Sequence, residues 1–281
     1  MCRSCRGIRG GAALGALLAL TLPAAAPAQA PPTAALARLT LVQRQVEHSG
    51  RETKWQKANE GGVLRIGEAV RVGSDSLARL DLPWMALTLS AATTVRFPDE
   101  YVLSAILEGG RALLDSRQRE ALKLVTAEAE VRGEGRAVVR REGNTTLVTC
   151  IAGRFFVEGG GRTVVLPAGR GTVVRAGRAP TEPQPAPDPP PGAGLWPGRD
   201  PVYVAPGDAI EIKWRGGAAS YQIELLPVGS ETVLIQRDVG APPTRLEIPW
   251  SGAFRWRVSS RDGRGLEGPP SDDGLICVEL R

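Results

Sequence analysis

The chain has 281 residues, enough for one large or two ordinary domains, and is 42% apolar, 23% charged and only 5% aromatic, with 34 Gly and 23 Pro. That balance is too apolar for a disordered chain and too rich in Gly and Pro for a helical bundle. A single histidine, His48, argues against a Ser-His-Asp hydrolase and excludes His-rich metal sites.

The net charge of +5 needs a correction from the first thirty residues. MCRSCRGIRGGAALGALLALTLPAAAPAQA places three arginines (Arg3, Arg6, Arg9) ahead of an apolar run from Gly11 to Leu22, then small residues and prolines. This is the three-part pattern of a secretory signal peptide. The apolar run is about 12 residues, short of the roughly 20 that cross a bilayer as a helix. Ala26-Pro27-Ala28 supplies an A-x-A cleavage site after Ala28, with Gln29 as the new N-terminus. An uncleaved N-terminal anchor is the alternative. Removing three arginines lowers +5 to +2, which gives no electrostatic reason to seek nucleic acid. No later stretch is long and apolar enough to span a membrane.

Cys2 and Cys5 would leave with the leader, so Cys150 and Cys277 remain. Each sits in an apolar run, LVTCI and LICVEL, and no C-x-x-C spacing occurs. Two separate buried strand cysteines are the expectation; a bridge between them is the alternative.

Residues 179–199, APTEPQPAPDPPPGAGLWPGR, read as a semi-rigid extended spacer. They divide the chain into a block at 38–178 and another at 200–281, with the leader at 1–28. The first block is a series of apolar, partly alternating runs: 39–42, 68–72, 76–82, 86–89, 94–97, 137–140, 146–151, 154–158, 162–166 and 171–175. Glycine-containing turns at short intervals separate them, the pattern of an all-β sandwich, barrel or coil. Arg111 to Glu130 mixes both periods. Two strands turning near Arg117 to Glu120 are expected there, with a helix as the alternative.

LRIGEAVRVGSDSLARLDL (64–82) resembles the opening of FecR-type domains, in which a glycine turn precedes an alternating Ser-Ala-Leu-Leu strand. Gly67-Glu68, Val70 and Val72-Gly73 are followed here by Ser76, Ala78, Leu80 and Leu82. VEGGGRTVVLPAGRGTVVRAG (157–177) is similar to the closing repeat of that family. Pro83-Trp84 departs from the family's usual turn, and its Gly-Thr-x-Phe step is Gly153-Arg154-Phe155 here or is lost at Gly133-Glu134-Gly135. The resemblance implies a β domain with no reactive residue. Some FecR relatives regulate sigma factors through a cytoplasmic segment and a membrane helix, which a short leader directly ahead of the domain would not supply.

The second block resembles a fibronectin type III or related Ig-like sandwich. The signals are Trp214 on an early strand, Tyr221-Gln222-Ile223-Glu224-Leu225, and Gly252-Ala253-Phe254-Arg255-Trp256-Arg257-Val258. Phe254, Trp256 and Val258 alternate with Arg255 and Arg257, so the aromatics are core candidates and the arginines are expected in water.

Chemistry is sparse. Gly159-Gly160-Gly161 and Gly169-Arg170-Gly171 lack the Lys-Ser/Thr of a phosphate loop and read as turns. Asp272-Asp273-Gly274 reads as a hairpin-like turn. Glu128 and Glu130 are read as a carboxylate pair on a solvated edge, and His48 as exposed. Arg140-Arg141, like Arg255 and Arg257, fits a solvated charged face.

The sequence therefore implies an all-β protein: a Gly-punctuated sandwich or coil followed by an Ig-like sandwich. No catalytic, cofactor or metal residues are assigned. The expected role is non-catalytic, in the periplasm or outside the cell, as a protein-interaction or scaffold module of the envelope. Its partner would be an envelope protein; a cell-wall glycan is the alternative, which calls for an exposed aromatic row such as Trp84 with Trp250. Nucleic acid is not expected as a partner. Mass spectrometry of the exported protein should find Gln29 as its first residue; an intact Met1 in a cytoplasmic protein would refute the leader.

Overall fold

Period-2 alternation becomes strands throughout the computed structural model, which describes residues 36–50, 54–83, 85–98, 104–117 and 123–279. No α-helix occurs among them. The cleavage residues Ala28 and Gln29 lie outside the described residues, as does Trp84.

The first block opens with β1 (Ala37–Gln43), β2 (Val46–Ser49), β3 (Trp55–Lys57), β4 (Val63–Leu64) and β5 (Ala69–Val72). Next are β6 (Leu77–Leu82), β7 (Met85–Leu89), β8 (Thr94–Arg96), β9 (Ser104–Ser116) and β10 (Lys123–Val125). β11 (Glu130–Glu142), β12 (Thr145–Gly159), β13 (Arg162–Pro167), β14 (Arg170–Arg175) and β15 (Gln184–Pro185) complete it. The long strands change partners along their length. β9 pairs with β8 and β10 through its first half, then with β7 and β11 through its second. β12 pairs with β14 over residues 145–150 and with β13 over 154–159, while β11 follows it throughout. Strands that switch partners in this way turn the corners of a sandwich. Inward side chains of the block, among them Leu87, Leu107, Leu114, Val139, Phe155 and Val157, close one apolar core.

The runs 146–151 and 154–158, separate in the sequence reading, are one bent strand. Gly153 (φ +81) and its cross-strand partner Gly135 (φ +112) make the bend. A Cβ on Gly153 would lie 2.1 Å from the Glu134 carbonyl oxygen, and one on Gly135 2.1 Å from that of Ala152. Only glycine permits that approach. A glycine here bends a strand; it does not end it.

Segment 111–130 contains strands, as expected, but not a hairpin. β10 runs parallel to the start of β9, Lys123 opposite Ser104, and antiparallel to β11. The connection therefore returns the chain to the beginning of β9. Most of the expected turn near Arg117 to Glu120 lies outside the described residues.

The second block contains β16 (Val202–Val204), β17 (Ala209–Ile212), β18 (Ser220–Pro227) and β19 (Ile235–Val239). β20 (Thr244–Glu247), β21 (Gly252–Arg261), β22 (Glu267–Pro270) and β23 (Gly274–Val278) follow. One sheet has the order β16-β23-β21-β18-β19, with β22 also on β21; β17 and β20 form the other. This is the two-sheet arrangement of an Ig-like sandwich. Trp214, Tyr221 and Trp256 fill its core, the Trp214 and Trp256 rings lying 6.5 Å apart.

The proline-rich segment is extended, yet it is packed at both ends. Thr181 exchanges hydrogen bonds with Thr172 and Val173, and the Ala186 amide donates to Gly169 (3.0 Å). Further on, Trp196 and Lys213 exchange backbone bonds of 2.8 Å, and Leu195 enters the second core. Proline lacks a donor, but the intervening residues use theirs against strands. The residues from Ala34 to Arg281 form one compact unit.

Trp256 is fully buried, and its Nε1 donates to the Pro197 carbonyl at 2.9 Å. Trp256→Ala should remove this bond and open a cavity, costing about 3–5 kcal/mol in urea unfolding. Normal stability in that variant would refute its structural role.

Candidate functional site

The sheet β18-β19-β21-β22 of the second block is not solvated on its outer face. Where strand alternation places Arg255 and Arg257 in water, the structure buries Arg257 and half-buries Arg255. Arg257 donates through Nε to Glu224 at 2.8 Å, and its side chain is 7% exposed. Arg255 bonds Asp273 (3.0 Å) and Glu231. Alternation distinguishes two faces of a strand, but it cannot say that the polar one meets water.

The centre of this junction is Arg111 of β9. Its guanidinium makes two parallel bonds to Glu267 of β22, at 3.0 and 2.5 Å, and a third to Ser90 Oγ at 3.1 Å. Ser90 donates to Gln236 Oε1 (2.5 Å), whose amide donates to Glu224 (2.9 Å). From the other side Arg261 donates to Glu267 (3.1 Å) and to Asp238 (2.8 Å). Burial alone would push the Glu267 carboxyl up; the charges and hydrogen bonds of Arg111 and Arg261 outweigh it and hold it below the usual carboxylate range. Asp238 is lowered in the same way, burial being overcome chiefly by Arg261. Arg140 lies in this field too. Burial and the neighbouring Arg261 charge depress its pKa, so it is not the freely solvated residue expected from the sequence. A small apolar cluster of Leu41, Leu77, Leu226 and Val233 joins the blocks beside the ion pairs.

Next to this seam runs a groove in two stretches, of about 460 and 370 Å³, which share Asp75, Gln236 and Arg237. The first block supplies its wall through the turns after β1, β5 and β7. Those turns hold Arg44 (φ 59), Asp75 (φ 56) and Ala92 (φ 54), the non-glycine residues with left-handed backbone among the described residues. Each costs about 1–2 kcal/mol of backbone strain. They persist because the turns are stitched together: Gly73 donates to Gln45 (2.8 Å), Gln45 to Ser76 Oγ (3.1 Å) and Ala92 to Gly73 (3.2 Å). The opposite wall is β19 and the segment Glu247, Pro249 and Trp250, with Trp250 41% exposed. Strained, braced turns facing an exposed indole make this the candidate site.

Other candidates from the sequence are dispersed. His48 is half-buried on β2 between β3 and β5, not exposed. Glu128 is buried, bonded to Thr146 and doubly to Arg141, so it and Glu130 are not a solvated pair. Cys150 and Cys277 are unbridged; burial pushes the Cys150 thiol up to about 11, and Cys277 is half-buried. Gly160 and Gly161 form the turn after β12, which ends at Gly159, and Gly169 lies in the turn between β13 and β14. Asp273 serves as a partner of Arg255 in the loop between β22 and β23. Trp55 lies under Arg71 at 4.4 Å, and Trp196, which is exposed, lies under Lys213 at 5.7 Å. No group of metal-ligating side chains occurs among those residues, and no described helix is long and apolar enough to cross a membrane.

No protein-family model matches the chain, and no curated protein matches it. Among solved structures it is similar to a candidate anti-sigma factor from Parabacteroides distasonis ATCC 8503. The identity is 19% over 42% of this chain and 59% of that one, with a TM-score of 0.37. A second crystal structure with the same description gives the same values. A stretch of titin domains matches at 13% identity over 85% of this chain and 98% of that one, with a TM-score of 0.24. The chain spans about three-fifths of the length of the first of these structures.

Removing one partner from a buried ion pair strands the other charge, so Arg111→Met should cost about 3–5 kcal/mol in denaturant. Arg111→Met with Glu267→Leu should cost less than the sum of the single changes. Because Glu267 and Asp238 are depressed on folding, their contribution is complete above the ordinary carboxylate range near pH 4. It is lost as pH falls through their lower folded values. Denaturant titrations between about pH 2 and 7 should show that loss, reduced in the double variant.

Proposed function

We propose that this is a non-catalytic binding protein of the bacterial cell envelope, a FecR-like block joined to a fibronectin-III-like block, which engages a protein partner at the groove between them. The runs at 64–82 and 157–177 support the FecR-like reading, and the leader pattern supports export. The observation that carries the binding role is the groove itself. Its walls come from sequence positions near 44, 75, 92 and 235–250, brought together by a junction of buried ion pairs. Rigid walls lower the entropy cost of binding, because little must be ordered when the partner arrives.

A glycan is the second reading, favoured by the exposed Trp250 indole beside Gln43, Asp75 and Glu247. An aromatic ring can stack on a sugar's apolar face while planar polar groups bind its hydroxyls. The other described tryptophans are buried in the second core or lie under a cation, which weighs toward protein.

Photo-crosslinking tests the proposal. A benzophenone side chain at position 250, in cells carrying the full chain, should give discrete envelope-protein adducts. The same group in place of Tyr203, on β16 at the opposite edge of the sheet, should not. Equal labelling from both positions, or none from 250, would refute the groove as the partner site.

A further inference from the structure

We infer that the groove receives an extended peptide segment of the partner, which adds as a new strand to the free edge of β19. This deepens the protein-binding proposal and rests on it. Successive side chains of a strand point to opposite faces, so a cleft beneath one face touches every second residue. The groove instead touches Leu234, Ile235, Gln236 and Arg237 in one stretch, and Gln236, Arg237 and Asp238 in the next. A cleft meeting consecutive residues runs along the edge of the strand.

β19 ends its sheet and is paired only with β18. Alternate residues of such a strand direct their N–H and C=O groups outward, where another chain can pair with them. Main-chain bonding of this kind supplies affinity, and pockets for alternate side chains supply specificity. The half-buried Val42 and Leu234 and the Trp250 ring offer apolar seats. Arg44 and Arg237 are balanced by Asp75 and Glu247, which suits a segment without a large net charge. In the second stretch Gln222 is buried, and its side-chain oxygen has no hydrogen-bond partner. A sugar chain could use Trp250 and the amides, but it would leave the backbone edge unused.

The test pans a display library of random linear dodecapeptides against the full chain and measures the selected peptides by fluorescence polarisation. Each peptide is then N-methylated at one residue at a time, a change that leaves the protein's folding untouched. Strand addition predicts about tenfold weaker binding at alternate residues over a stretch of roughly five, and changes within about twofold between them. Trp250→Ala should weaken binding, and Tyr203→Ala should not. Selected peptides that bind the groove without a period-two response would overturn strand addition and leave protein binding standing. Peptides indifferent to Trp250→Ala would place the site elsewhere and overturn both. Selection of no peptide would also overturn both. If a β-1,4-linked tetramer of N-acetylglucosamine then shifts the tryptophan emission of the wild type but not of Trp250→Phe, the ligand is a glycan.

Discussion

The two parallel hydrogen bonds between Arg111 and Glu267 join residues 156 positions apart, and the geometry of the junction depends on them. A planar guanidinium facing a carboxylate tolerates little rotation, so the pair sets the angle between β9 and β22 as well as their distance. Ser90, Gln236 and Glu224 extend the constraint to β18 and β19, and Arg261 extends it to Asp238. The groove is the gap left beside this seam.

The choice of charge over apolar surface has an energetic meaning. Two ions taken from water lose several kcal/mol of hydration each, and their attraction returns that only in good geometry. Such a pair is a weak source of net stability but punishes any misplacement. The apolar cluster of Leu41, Leu77, Leu226 and Val233 supplies attraction without direction. Together they give a junction held by burial and oriented by charge. The proline-rich segment adds to this by bonding to β14 at one end and to Lys213 at the other.

Much of the fold was legible in single runs of residues. Alternation at 77–82 and 254–258 placed Ala78, Leu80, Trp256 and Val258 inside, and they are inside. Runs interrupted by glycine were harder, because a glycine that ends a strand and one that bends it look alike in sequence. Gly153 bends, and two expected strands are one. The parallel pairing of β10 with β9 was equally hidden, since direction relative to a distant strand leaves no local mark. The groove had one visible residue, Trp250, and its other walls belong to turns far away in the chain.

The sequence by itself determined what depends on neighbours along the chain: the all-β class, the inward faces of the strands, most of the turns, and the core roles of Trp214 and Trp256. Tertiary structure decided what the other face of each strand meets. Arg257 has the local pattern of a solvated residue and is buried, paired with Glu224 on the neighbouring strand, while Arg255 is half-buried between Glu231 and Asp273. Arg111 and Glu267 show nothing locally that marks them as partners. Burial of a charge is settled by what lies across from it, and the residue opposite is a property of the fold.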